Sequence, residues 1–265
     1  TVEEQADGYT GVFEAFPGRK VVVRTLDAGA DKPLPFLTDA TEPNPALGVR
    51  GYRTDWTTQG VLERQLEAIA VAKQRSTADV WVMAPMIATV GEAARFHDLV
   101  VAAGLKVSGV MVETPAAAIT AEQILERVDF VSLGTNDLTQ YTMAADRMLG
   151  SLADLNSPWQ PAVLRMIQAT ARGAAQASER GGEHKNVGVC GEAAADPALA
   201  VVLVGLGVDT LSMSPRSLAA VSAVLARVDA AEARRLAELA LHATSAQEAK
   251  EAVRAELPVL ADLGL

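Results

Sequence analysis

Short, unbroken apolar runs alternate with longer stretches of helical periodicity along this sequence. Lys20 to Leu26, Val80 to Met86, Val107 to Glu113, Asp129 to Gly134, Val187 to Glu192 and Asp209 to Met213 are the runs, and Val dominates them. Strands buried on both faces have that texture, whereas a strand with one wet face alternates apolar and polar residues. Between the runs, Val61 to Gln74, Val90 to Ala103, Ala116 to Arg127, Val163 to Ser178 and Pro197 to Gly205 carry the helical period. In the first of these, Leu62, Leu66 and Ile69 share one face. Strands alternating with helices predict repeated βα units and a parallel sheet, open or closed into a barrel. Ala230 to Leu257 adds one or two amphipathic helices, and the Pro-, Asp- and Gly-rich stretch from Gly29 to Asn44 reads as a long loop. A length of 265 residues is common for a single α/β barrel, so 1–265 is read as one domain.

The charge balance narrows the partners. A formal net charge of −10 excludes a broad footprint for nucleic acid or for an anionic membrane. An anionic ligand would therefore need a local arginine cluster. The single cysteine, Cys190, rules out an internal disulfide, which suits a reducing cytoplasm. There is no 18-residue apolar run and no signal-peptide pattern, so the expectation is a cytoplasmic chain with no membrane span.

Polar residues fall at one place on these strands. Successive strand side chains point to opposite faces. Val21 and Val23 oppose Arg24; Val110 and Val112 oppose Met111 and Glu113. Val131 and Leu133 oppose Ser132, Gly134 and Asn136, and Val187 and Val189 oppose Gly188, Cys190 and Glu192. Each run thus has an apolar face and, on the other face, a polar group near its C-terminal end. That end carries the active site in parallel barrels. Arg24, Glu113, Asn136, Asp137, Cys190 and Glu192 are expected to converge there.

From residue types alone, Glu113 and Asp137 without a neighbouring histidine suit a hard cation such as Mg²⁺. Arginines suit a phosphate or carboxylate, which they grip bidentately. Cys190 could serve as an acid or a nucleophile. Together these describe a Mg²⁺-dependent enzyme acting on a small phosphorylated or carboxylated substrate. Plainer readings exist for each residue. A strand cysteine is by default an inert small hydrophobe, and Asp137 is a natural helix N-cap. Of Arg50 and Arg53, one would grip substrate and the other a structural carboxylate, with Arg50 favoured for substrate. Lys32 either holds the loop or is solvated. His97, His184 and His242 read as surface residues, and Trp56, Trp81 and Trp159 as packing residues.

Six blocks then carry a resemblance. Phe130-Val-Ser-Leu-Gly-Thr-Asn-Asp-Leu-Thr-Gln-Tyr-Thr, with Asp146-Arg147 after it, resembles the signature of phosphoenolpyruvate-utilising enzymes. Gly109-Val-Met-Val-Glu-Thr-Pro-Ala-Ala-Ala and Val189-Cys-Gly-Glu resemble two more blocks of that family. Arg24-Thr-Leu-Asp-Ala-Gly-Ala-Asp-Lys-Pro-Leu-Pro-Phe-Leu, Asn44-Pro-Ala-Leu-Gly-Val-Arg-Gly-Tyr-Arg and Leu211-Ser-Met-Ser-Pro resemble its enzyme I branch, which serves the bacterial phosphoenolpyruvate:sugar phosphotransferase system. The resemblance runs in order over nearly the whole chain.

The resemblance implies a (β/α)8 TIM-type barrel that binds phosphoenolpyruvate and Mg²⁺ and forms a homodimer. By it, Glu113 and Asp137 match metal ligands, and Arg24, Arg50 and Arg147 match phosphate-gripping arginines. Asn136 and Asp137 match residues that hold the substrate, and Cys190 matches the acid that protonates the enolate carbon as pyruvate forms. The implied activity passes the phosphoryl group to a histidine on a separate N-terminal domain and, through it, to the histidine-carrier phosphoprotein. None of His97, His184 and His242 lies in an acceptor motif, so this chain is expected to bind without completing the transfer. Only six strands are visible, and a preceding Arg-Thr-Glu-Phe-Leu block is absent. The chain is therefore expected to be a C-terminal fragment, with a barrel lacking its first two strands. The competing readings are a dikinase, a phosphoenolpyruvate synthase or a Mg²⁺-dependent lyase of the same superfamily, and a non-catalytic dimerisation module.

Overall fold

A computed structural model describes residues 1–28, 34, 37 and 41–265. The loop read between Gly29 and Asn44, with Lys32, falls largely outside the described residues. The chain divides into two compact units, one of Thr1–Met111 with Arg127–Asp129, the other of Val112–Glu126 with Phe130–Leu265.

The first unit opens with helix α1 (Val2–Glu14), which the apolar periodicity did not announce. Its start is a capping box: Thr1 accepts from the Glu4 backbone N–H while the Glu4 side chain reaches back to Thr1. Strand β1 (Lys20–Arg24) follows, then the short helix α2 (Thr54–Thr57), helix α3 (Val61–Gln74), strand β2 (Asp79–Ile87), helix α4 (Val90–Ala102) and strand β3 (Val107–Val112). β1 and β2 pair in parallel, Lys20 opposite Asp79 and Arg24 opposite Met83. Leu66, Ile69 and Phe96 are fully or almost fully buried, so the helical faces expected from the 3.6-residue period are the faces that pack.

The second unit runs through α5 (Pro115–Ile119), α6 (Ala121–Leu125), β4 (Phe130–Gly134), α7 (Thr135–Met143), α8 (Pro161–Gly181), β5 (Asn186–Cys190), α9 (Glu192–Ala195), α10 (Pro197–Gly205), β6 (Thr210–Ser212) and the terminal helices α11 (Pro215–Leu225), α12 (Ala230–His242), α13 (Ala246–Ala255) and α14 (Pro258–Asp262). β5 lies between β4 and β6 and pairs with both in parallel. The expected helix from Ala116 to Arg127 is two short helices. It breaks at Thr120, whose hydroxyl donates to the Ala116 carbonyl at 2.9 Å and so competes with the helical ladder.

All six expected strands exist, each within two residues of the expected ends, and they pair in parallel within each unit, β1 with β2 and β5 with β4 and β6. The fold is therefore α/β, built from the strand–helix repeat of a (β/α)8 barrel with six strands among the described residues. Trp159 is buried and donates to Asp196 at 3.0 Å, as a packing residue with a polar handle does. Trp56 departs from that expectation, because 58% of it is exposed.

Candidate functional site

In the second unit, β4 ends at Gly134 and α7 begins at Thr135 without an intervening loop. Gly134 is the N-cap, so Asp137 stands in the first turn rather than capping the helix as the sequence suggested. A carboxylate there faces the positive end of the helix dipole. The residue after β3 is Glu113, and its carboxylate lies directly over Gly134. A Cβ at Gly134 would stand only 2.7 Å from Glu113 Cγ and closer still to Oε1. Glycine is thus required at this strand end so that a side chain from another segment can occupy the space.

Both carboxylates are inside the protein: Glu113 is 2% and Asp137 6% exposed. Arg147 Nη1 lies 4.0 Å from Asp137 Oδ2. The Arg147 backbone is fixed by the buried Gln140, whose Oε1 accepts from the Arg147 N–H at 2.9 Å. Residue 144, an alanine with φ of 50°, ends α7 and lets the chain turn back toward Gln140. Cys190 completes the group by register. It is the last residue of β5 and pairs with Gly134 on one side and Ser212 on the other. Its thiol donates to the Leu133 carbonyl at 3.4 Å. Glu113, Gly134, Asp137, Arg147 and Cys190 therefore occupy one end of the β4–β5 pair.

Two sequence expectations change here. Asn136 and Glu192 were placed on strand faces, but β4 and β5 stop at Gly134 and Cys190, so both residues sit in helices. Asn136 is exposed in the first turn of α7, and Glu192 is exposed at the start of α9.

The first unit holds the other expected arginines. Arg24 ends β1, and Arg50 precedes the 3-10 turn Gly51–Arg53. Asp27 joins them: its Oδ2 accepts from Arg24 Nη1 at 3.5 Å and from Arg50 Nη2 at 3.3 Å. Arg24 also approaches Met111 Sδ at 4.0 Å. Arg50 is buried, whereas Arg53 donates to the Leu47 and Gly48 carbonyls, the structural task expected of one of this pair. The three histidines have partners outside these groups. His97 is bonded to Ser108 at 2.8 Å, His184 is 3.2 Å from Asp209, and His242 is bonded to the Glu238 carbonyl at 2.8 Å.

The phosphoenolpyruvate-binding domain of phosphoenolpyruvate-utilising enzymes matches residues 1–230. The chain belongs to this family. Relatives named phosphoenolpyruvate-protein phosphotransferase are similar along almost all of it. The protein from Streptomyces coelicolor is 52% identical over 256 residues, 96% of this chain and 45% of the relative. The one from Haloferax volcanii is 45% identical over 94% of this chain, and the one from Listeria monocytogenes 41% over 96%, each match again covering 45% of the relative. The chain thus spans less than half the length of these relatives.

In this phosphoenolpyruvate-binding domain the donor set can be judged for a metal. No group of three or more His, Cys, Asp or Glu side chains placed to hold a metal ion exists among the described residues. Mg²⁺ does not need one: it keeps several waters and takes one or two carboxylates beside substrate phosphate oxygens. Glu113 and Asp137 are two buried carboxylates that offer oxygen donors only. The residues fit a small hard cation.

Sequence reasoning missed Asp27, Gly134 and Gln140. Asp27 sits between the Lys20–Leu26 run and the loop read from Gly29, with no pattern to mark it. Gly134 had only the signal of a glycine at a strand end facing the polar side. Gln140 acts through a backbone seven residues away, for which no local pattern exists.

Proposed function

We propose that this chain binds phosphoenolpyruvate with Mg²⁺ and supports transfer of its phosphoryl group to a histidine on a separate N-terminal domain, releasing pyruvate, as the first step of a sugar phosphotransferase system. The observation that carries this reading is the pair of buried carboxylates, Glu113 and Asp137, set at one strand end beside Arg147 and Cys190. Membership of the family and the names of the relatives supply the substrate.

Glu113 and Asp137 would hold Mg²⁺. A cation held there would supply positive charge to the phosphoryl oxygens. Arg24, Arg50 and Arg147 grip phosphate and carboxylate oxygens, and Asn136 with the first-turn backbone of α7 orients the substrate. When the phosphoryl group passes to the acceptor nitrogen, the bridging O–P electrons remain on the enolate oxygen. That oxygen becomes the ketone, and the C=C pair takes the thiol proton of Cys190 at the methylene carbon, giving the methyl group. The thiolate regains a proton from water. On this reading the chain works in the cytoplasm as a homodimer, and the acceptor histidine of the N-terminal domain passes the phosphoryl group onward to the histidine-carrier phosphoprotein.

Calorimetric titration with phosphoenolpyruvate, with and without Mg²⁺, tests the reading. Binding is expected only with Mg²⁺ and is expected to vanish in Glu113→Ala. The same sample is expected in light scattering at twice the chain mass of 27.7 kDa. Binding indifferent to both Mg²⁺ and Glu113 would exclude the proposed site.

A further inference from the structure

Asp27 is held by two arginines at once, yet its contacts to them are loose. Arg–carboxylate pairs of full strength are bidentate, with N···O near about 2.8 Å. Here a single oxygen, Oδ2, receives one bond from each guanidinium, at 3.5 Å from Arg24 and 3.3 Å from Arg50. The other oxygen, Oδ1, is buried and has no hydrogen-bond partner among the described residues. The Asp27 side chain is 10% exposed and that of Arg50 4%, while Arg24 is open at 38%.

The carboxylate is immobilised from the backbone side. The Leu26 N–H donates to Gln65 Oε1 at 2.9 Å, and the Gln65 amide donates to the Tyr9 hydroxyl at 2.8 Å. Gly51 N–H donates to the Ala28 carbonyl at 3.3 Å, which ties the segment after β1 to the segment carrying Arg50. Gly51 has φ of +56°, and a Cβ there would sit 3.2 Å from Asp27 Oδ1 and 2.8 Å from Met86 Cβ. The backbone can close this tightly on the carboxylate only because residue 51 is glycine.

A buried carboxylate so placed has two consequences. It aligns two cations that would otherwise repel each other, and it cancels one of their two charges. We propose that Asp27 is a positioning residue for the substrate arginines and sets their selectivity, favouring phosphoenolpyruvate over a simple phosphate. The inference rests on the function proposed above. Inorganic phosphate gains from charge alone, whereas phosphoenolpyruvate gains from two anionic groups at a fixed separation meeting two aligned guanidiniums. Without Asp27 the arginines carry more charge and less order. Phosphate then binds as well or better, and phosphoenolpyruvate loses its advantage.

The test measures dissociation constants for phosphoenolpyruvate and inorganic phosphate, both with Mg²⁺, in the unmodified chain, Asp27→Asn and Asp27→Ala. The ratio of the two constants is the readout. It is expected to fall at least tenfold in Asp27→Ala and by an intermediate factor in Asp27→Asn, which keeps the shape and one acceptor oxygen. A purely structural role would lower the unfolding midpoint and weaken both ligands together, leaving the ratio unchanged. An unchanged ratio in the isosteric Asn variant, in a chain that binds phosphoenolpyruvate, overturns this inference alone. Failure of the unmodified chain to bind phosphoenolpyruvate overturns the proposed function and this inference with it.

Discussion

Gly134 shows how one missing side chain shapes a site. Glu113 comes from the end of β3 and Gly134 from the end of β4, and the carboxylate fills the space a Cβ would take. Gly134→Ala forces Glu113 to move, since the clash involves its Cγ as well as its oxygens. The backbone has no positive φ to defend at this position, so the fold should survive with an overpacking cost of about 1–3 kcal/mol. The expected outcome is a folded protein whose Mg²⁺-dependent phosphoenolpyruvate affinity falls at least tenfold in calorimetry. Native-like affinity would mean that the Glu113 carboxylate can hold its ligand from another position. Glu113 and Cys190 were legible in the sequence because a polar residue closing a Val-rich run is conspicuous. Gly134 and Asp27 were not, because their roles depend on which distant side chain arrives beside them.

At the scale of elements, parallel strands were the easiest to read. Runs buried on both faces need no alternation to be recognised, and the six strands fell within two residues of their expected ends. Some helix starts were harder. α1 begins at a capping box in a Glu-rich segment whose apolar spacing is weak, and α11 begins at a proline. α2 was also unannounced, and it holds a buried acid. Asp55 is 6% exposed, its Oδ1 has no hydrogen-bond partner among the described residues, and Arg95 stands 3.8 Å from Oδ2. Burial raises the Asp55 carboxyl above its ordinary 3.8, the Glu63 charge adds to this, and Arg95 opposes it. Nearby, burial also pushes the Tyr52 hydroxyl up to about 12. For Asp55 the sign is unfavourable at neutral pH. Below the unfolded value both states are protonated and nothing is lost; as pH rises past it, the unfolded chain ionises more readily and the fold is penalised. Asp55→Asn is therefore expected to raise the urea midpoint at pH 7. The gain should shrink toward zero as pH falls below 3.8. A gain independent of pH would trace the effect to packing instead of charge.

For the whole molecule, the decisive question is where the phosphoryl group goes. The sequence contains three histidines, and each is engaged elsewhere. His97 shares a hydrogen bond with Ser108, which is itself bonded to Asp129 through its backbone N–H at 2.8 Å. His184 faces Asp209 at 3.2 Å, and His242 bonds the last turn of its own helix. A phosphoryl acceptor needs a neutral ring nitrogen presented in line with the leaving oxygen. Their partners are Ser108, Asp209 and the Glu238 carbonyl, none of them in the group of Glu113, Asp137, Arg147 and Cys190 at the β4–β5 end. The chain also spans less than half the length of its phosphotransferase relatives, which leaves room in them for an acceptor on another segment. Incubated with phosphoenolpyruvate labelled with radioactive phosphorus and Mg²⁺, this chain is expected to bind the label reversibly and to retain none after denaturation at alkaline pH, where phosphohistidine survives. Mixing with the N-terminal part of a relative such as the Streptomyces coelicolor protein should place alkali-stable label on that partner and release an equal amount of pyruvate. Label on His97, His184 or His242 in the isolated chain would show that the acceptor lies within it, and the division of labour proposed for the site would have to be abandoned.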